Sequence, residues 1–137
     1  MEILVETGFL LALNPRDRHH SWALGILREA EAGKTILHIS PMASVELSLV
    51  MKSRGRSEEE VRRVLGALNT AIMMYTKPRY PSLGLRDVEY AAELRGRYPQ
   101  LSFFDSIHAA IAIDNKLTYY DLDEVVRSII LRELEDS

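Results

Sequence analysis

Ile3-Leu4-Val5-Glu6-Thr7-Gly8 is a short apolar run that ends abruptly on an acid. Consecutive branched apolar residues without alternation are the pattern of a strand buried on both faces, as strands of parallel sheets are. Strand signals return at Thr35–Ile39, around Ala71–Thr76 and at Leu117–Tyr120, and the segments between them have helical periodicity. Strands alternating with helices imply βαβ units, so the expected fold class is α/β, a three-layer α/β/α arrangement around a central parallel sheet.

The helices carry their own punctuation. Trp22, Leu24, Ile26 and Leu27 predict a helix from about Asp17 to Ala32, stopped by Gly33. Ser40 as N-cap and Pro41 at the first helical position open the next one. Ser57-Glu58-Glu59-Glu60 fits a capping box for a helix carrying Val61, Val64, Leu65 and Leu68. Pro, Gly and Ser between Pro78 and Gly84 mark a loop, followed by a helix through about Arg95. Ser102-Phe103-Phe104-Asp105 opens the segment Ile107–Ile113, which is apolar almost all round and is therefore expected at the centre. Leu122 to about Leu134 is again amphipathic. With no internal repeat, linker or low-complexity tract, a single domain is expected over 1–137.

Composition narrows the chemistry. Hydrophobic residues at 47% and charged residues at 27% are the balance of a folded globule. Lys and Arg number 17 against 20 Asp and Glu, a net charge of −3 that excludes a uniformly basic nucleic-acid binder but not a basic rim beside an acidic site. The absence of cysteine excludes disulfides, Cys-ligated zinc, iron–sulfur clusters and thiol catalysis, so any metal must be held by oxygen or imidazole. No apolar run approaches the ~18 residues of a membrane span, and the N-terminus lacks the basic stretch of a secretory signal. The expectation is a soluble cytoplasmic protein without membrane contact.

Several acids sit where solvation does not explain them. Glu6 follows the first strand at its carboxyl end, the edge where open parallel sheets bind ligands. Asp121, Asp123 and Glu124 follow Leu117-Thr118-Tyr119-Tyr120, so a second strand delivers acids to that edge. Glu46 falls within an apolar stripe of Met42, Val45, Leu49 and Val50, where an unpaired carboxylate would cost several kcal/mol. Asp105 starts the most apolar helix. Each acid also has a structural reading: Asp105 closing a capping box with Ser102, Asp121 and Asp123 as turn and N-cap residues, Glu46 in an ion pair with an Arg, Glu6 at a helix N-terminus. If the acids converge, their oxygen ligands suit a hard cation, Mg²⁺ or Mn²⁺.

Other polar residues read more plainly. The spacing of His19, His20, His38 and His108 is not that of metal ligands. His108 is expected to be a satisfied core histidine, His38 a strand residue, and His19-His20 helix-start polar residues. Lys52, Arg54 and Arg56 read first as a solvated loop and second as a phosphate-backbone contact. Met73-Met74 reads as core packing.

These residues resemble a known family over essentially the whole chain. Ile3-Leu4-Val5-Glu6-Thr7-Gly8, the helical Ser44-Val45-Glu46-Leu47, and Leu101-Ser102-Phe103-Phe104-Asp105-Ser106-Ile107-His108-Ala109-Ala110-Ile111-Ala112 are similar to PIN-domain ribonucleases, most of all the VapC toxins of prokaryotic type II toxin–antitoxin pairs. The family's fourth acid usually lies about 18 residues beyond the third, which without gaps is Asp123, with Asp121 in the position of a hydroxyl. The resemblance implies that Glu6, Asp105 and Asp123 bind Mg²⁺ or Mn²⁺, that Glu46 completes the acidic pocket, and that Thr7 bonds a ligand or a metal-bound water. It further implies hydrolysis of RNA phosphodiesters, a cognate antitoxin protein and a homodimer. The family's first acid is nearly always Asp, and Glu6 is one methylene longer. That departure keeps open a catalytically degenerate RNA- or protein-binding module, and structural caps in an unrelated α/β domain stand as a third reading.

Overall fold

In the computed structural model, which describes residues 1–136, the central strand is β1 (Glu2–Val5). It pairs in parallel with β2 (Ile36–Ile39) on one side and with β3 (Thr118–Tyr119) on the other, giving the order β2-β1-β3. The register sets Leu4 opposite both His38 and Tyr119. Because side chains alternate across a strand, Ile3 and Val5 face one helical layer while Leu4 faces the other.

The first layer is α1 (Thr7–Ala12), α2 (His20–Glu31), α3 (Ala43–Ser53) and α4 (Glu58–Met73), whose Phe9, Ile26, Leu27, Leu47 and Ile72 close over Ile3, Val5, Leu37 and Ile39. The second is α5 (Leu85–Arg97), α6 (Phe103–Asp114) and α7 (Glu124–Glu135), which bury Leu94, Ile107, Ile111, Val126 and Ile130 against Leu4 and Tyr119. The three-layer α/β/α arrangement expected from the sequence is thus observed. Every residue from Ser106 to Ala112 is buried, which accounts for an α6 that is apolar on nearly every side. Among the described residues no helix is long and apolar enough to cross a membrane.

Local signals hold where they are strongest. Ser57 Oγ accepts from the Glu60 N–H, and the Glu60 carboxylate accepts from the Ser57 N–H, the reciprocal capping box. Gly33, at φ +76°, follows α2 in a left-handed conformation that favours glycine.

Other expectations are corrected. Ala71–Thr76 is not a strand: α4 runs through Met73, turning Ile72 into the core and leaving Met73 and Met74 exposed, so those methionines are not core packing. α2 begins at His20, not Asp17, because Asp17 caps a preceding turn by accepting from the His19 N–H. α3 begins at Ala43, not Pro41, and Ser40 is instead buried beneath it. The buried face of α3 is Ala43 and Leu47, whereas Val45 and Leu49 are exposed, so the stripe around Glu46 is not the core face. Lys52 and Arg56 are solvated and pair with Glu58 at 2.6 Å and Glu60 at 3.1 Å.

A part-buried ion pair ties the outer helices of the second layer. Glu133 of α7, only 6% exposed, accepts two hydrogen bonds from Arg97 of α5 at 2.6 and 2.9 Å, and the same guanidinium reaches Glu93 at 2.7 Å. Removing one member of such a pair strands the other charge in a low-dielectric site. Arg97→Ala is therefore expected to lower the melting temperature by several degrees, and Glu93→Ala, at the solvated end, to change it little. Equal melting temperatures for the two variants in a calorimetric scan would contradict this.

Candidate metal centre

Four elements deliver polar side chains to the carboxyl edge of the sheet. The chain turns from Val5 directly into α1, so Glu6 is both the first residue beyond the central strand and the N-cap of α1. Its carboxylate accepts from the Gly8 N–H at 2.7 Å, and it is 7% exposed. A Cβ at residue 8 would lie 2.6 Å from Glu6 Oε1 and would push that carboxylate aside, while Asp121 Oδ1 would be at ordinary contact distance, 3.6 Å.

Glu46, from α3, lies opposite. Its Oε1 accepts from the Thr7 hydroxyl and is 2.9 Å from His108 Nε2 of α6. His108 is wholly buried, and its Nδ1 is 2.6 Å from Ser40 Oγ at the end of β2. One potential ligand atom from each of Glu6, Glu46 and His108 lies within 4.8 Å of the others.

The remaining acids divide. Asp105 stands in the first turn of α6, where its N–H donates to Ser102 Oγ at 3.1 Å. The reciprocal half of a capping box is not made, so the Asp105 carboxylate is not consumed by the cap. Asp121 follows β3, is half-buried, and accepts from the Leu122 N–H at 2.8 Å. Asp123 is exposed and caps α7, accepting from the Val125 N–H at 2.9 Å. Glu6, Thr7, Glu46 and His108 are thus in one cluster, with Asp121 and Asp105 acting on it electrostatically. Asp123 stands at its rim.

The electrostatics record this crowding. Burial and the neighbouring Asp121 push the Glu6 carboxyl up to about 8; the Gly8 N–H opposes this, and Glu46 and Asp105 add to it. Burial also raises Asp121, with Asp123 and Asp105 contributing against the Leu122 and Asp123 N–H groups. Glu46 goes the other way: burial raises it, but the hydrogen bonds from His108 and Thr7 outweigh burial and hold it below the usual carboxylate range. Beneath the cluster the Tyr119 hydroxyl is buried and has no hydrogen-bond partner among the described residues. Burial and the Glu6, Asp121, Asp105 and Glu46 carboxylates raise its pKa well above the usual value. An excess of uncompensated carboxylate with an orphaned hydroxyl below it fits a hydrated divalent cation.

Sequence reasoning missed His108 as part of this cluster. It was legible as a satisfied buried histidine, and it is one, but its partners are Ser40 and Glu46, 68 and 62 residues away. The available signal was its position three residues after Asp105, which puts both on one face of α6.

The PIN domain family model matches residues 3–128. No curated protein matches the sequence. Among solved structures, VapC20 of Mycobacterium tuberculosis, described as a sarcin-ricin loop cleaving toxin, superposes with a TM-score of 0.65 at 20% identity, over 92% of this chain and 93% of that one. VapBC2 from Rickettsia felis, solved bound to a DNA fragment from its promoter, gives a TM-score of 0.60 at 20% identity over 90% and 88%. These two structures share the fold of this chain. With its acids gathered at the sheet's carboxyl edge and a match spanning nearly its whole length, the chain belongs to the PIN domain family.

Proposed function

We propose that this protein is a metal-dependent endoribonuclease, a single domain over 1–137, and the toxin of a toxin–antitoxin pair. The observation that carries the reading is the convergence of Glu6, Glu46, Asp105 and Asp121 at the carboxyl edge of the sheet, where burial and the neighbouring carboxylates raise the Glu6 carboxyl above its usual range. Such a pocket repels a phosphodiester until a cation enters. Carboxylate donors suit Mg²⁺ or Mn²⁺, held by Glu6, Glu46, Asp105 and Asp121 directly or through water. When bound, the ion supplies an activated water and neutralises phosphate charge. The chain's own residues hold the acids in place: Thr7 and His108 keep Glu46 ionised and oriented, and the Gly8 N–H fixes Glu6. In this reading Asp121 is the fourth acid, and Asp123 contributes charge from the helix cap.

A partner protein is supported by a groove of about 690 Å³ between α1, α3 and α4, lined by Leu10, Leu13, Met51 and Leu68 with Arg54 and Arg56 at its rim. An acidic, amphipathic antitoxin segment fits that chemistry. Exposed Leu85 and Phe103 support a second copy in a homodimer.

The test is incubation of the purified, antitoxin-free protein with structured RNA in Mn²⁺, in Mg²⁺ and in EDTA. Cleavage that requires metal is expected. Metal binding without cleavage of any offered RNA would favour a degenerate binding module, a reading helped by the tether between Glu6 and the Gly8 N–H. Absence of both would return the acids to structural roles. Gly8→Ala probes the pocket more finely. Its methyl displaces the Glu6 carboxylate from the Gly8 N–H, so Mn²⁺ affinity should fall roughly tenfold while the thermal melt barely moves. An unchanged affinity by calorimetry would mean that Glu6 does not hold the ion.

A further inference from the structure

We infer that His108 is a positioning residue for Glu46, donating through Nε2–H so that one carboxylate oxygen is saturated and the other is left for the acid cluster. Glu46 Oε1 lies 2.9 Å from His108 Nε2, and a carboxylate oxygen accepts, so this geometry puts a proton on Nε2. In the Nε2–H tautomer Nδ1 is bare, and the Ser40 hydroxyl, 2.6 Å away, donates to it. Ser40 Oγ accepts in turn from the Met42 N–H at 3.3 Å.

The far end is just as determined. The Thr7 hydroxyl donates to the same Glu46 Oε1, so this oxygen receives two hydrogen bonds, and among the described residues none reaches Oε2. The relay joins the end of β2, α6, α3 and the start of α1, and the Ser40 N–H donates to the Val5 carbonyl at the last residue of the central strand. Glu46 is therefore locked to the sheet edge through a buried imidazole. His108 itself is no ligand: it is completely buried, and both ring nitrogens are engaged. Within the cluster of Glu6, Glu46 and His108, the imidazole orients and the carboxylates bind.

The inference rests on the acid cluster being a cation site, and the test separates the two. In the metal-free protein, the ring ¹⁵N resonances of His108 should show a protonated Nε2. A bare Nε2 would overturn the inference. Two near-isosteric variants then divide its bonds. His108→Gln keeps an amide N–H where Nε2 stood and so retains the bond to Glu46. His108→Asn keeps a polar group near Ser40 but falls short of Glu46. In RNA-free calorimetry His108→Asn should weaken Mn²⁺ binding by about 10–100-fold, and His108→Gln should stay close to wild type, with thermal melts verifying that both are folded. Equal affinities for the two variants would overturn the positioning role. A wild type that binds no Mn²⁺ would sink the cation-site reading instead, leaving the ring spectrum to decide on His108.

Discussion

Asp105→Asn is expected to abolish metal-dependent RNA cleavage, a loss beyond the roughly 10–100-fold that removal of an outer partner costs a metal site. The substitution is nearly isosteric. It leaves the Asp105 N–H bonded to Ser102 Oγ, so the first turn of α6 keeps its cap and the fold should survive. What disappears is a charge that acts on Glu6 and Asp121. Asp123→Asn makes the contrast. Its carboxylate is spent on the Val125 N–H at the start of α7, an exposed cap that the asparagine oxygen can still make, so stability should hold. RNA cleavage should therefore survive Asp123→Asn and fail in Asp121→Asn. The reverse ranking in single-turnover assays would make Asp123 the fourth acid.

Glu6→Gln should stabilise the metal-free protein, and more so as the pH rises. A carboxyl whose pKa is raised on folding binds its proton more tightly in the native state. The native state is therefore favoured below the ordinary value of 4.5, and that advantage is lost as the pH climbs to about 8. By pH 8 the penalty of ionising Glu6 among Asp121, Glu46 and Asp105 is on the order of 4 kcal/mol. Glutamine carries no charge and can still accept from the Gly8 N–H. In EDTA the variant should melt well above wild type at pH 8 and nearly with it at pH 5. Added Mn²⁺ should narrow or reverse the difference at pH 8, since the wild type, with one carboxylate more, binds it more tightly. A difference in melting temperature that ignores pH would show that the Glu6 carboxyl is not destabilised by its neighbours.

What could be read in advance was local. Ile3-Leu4-Val5 announces a doubly buried strand, and Ser57 with Glu60 writes out its own cap. The apolar density of Ile107–Ile113 places α6 against the sheet. Errors came where a short apolar run has two solutions. Ala71-Ile72-Met73-Met74-Tyr75-Thr76 has the residues of a strand, but the capped helix beginning at Glu58 continues into it and needs only Ile72 for the core. The face of α3 has two solutions for a related reason: Val45 and Leu49 have the character of core residues, yet Ala43 and Leu47 take that place. Glu46 was singled out for the right oddity on the wrong grounds. It is tolerated through Thr7 and His108, partners from distant parts of the chain that no periodicity reveals.

The strand order carries a consequence for how the molecule is made. β1 precedes both its neighbours, and β3, which pairs Thr118 with Ile3, follows it only after β2 and helices α1 to α6. That pairing closes a long loop, so its entropic cost must be met by the contacts β3 makes once it is in place. Asp121 follows that strand, so the acid pocket is incomplete until β3 has paired with β1. Opening of this short edge pairing would therefore dismantle the pocket while leaving β1 and β2 paired.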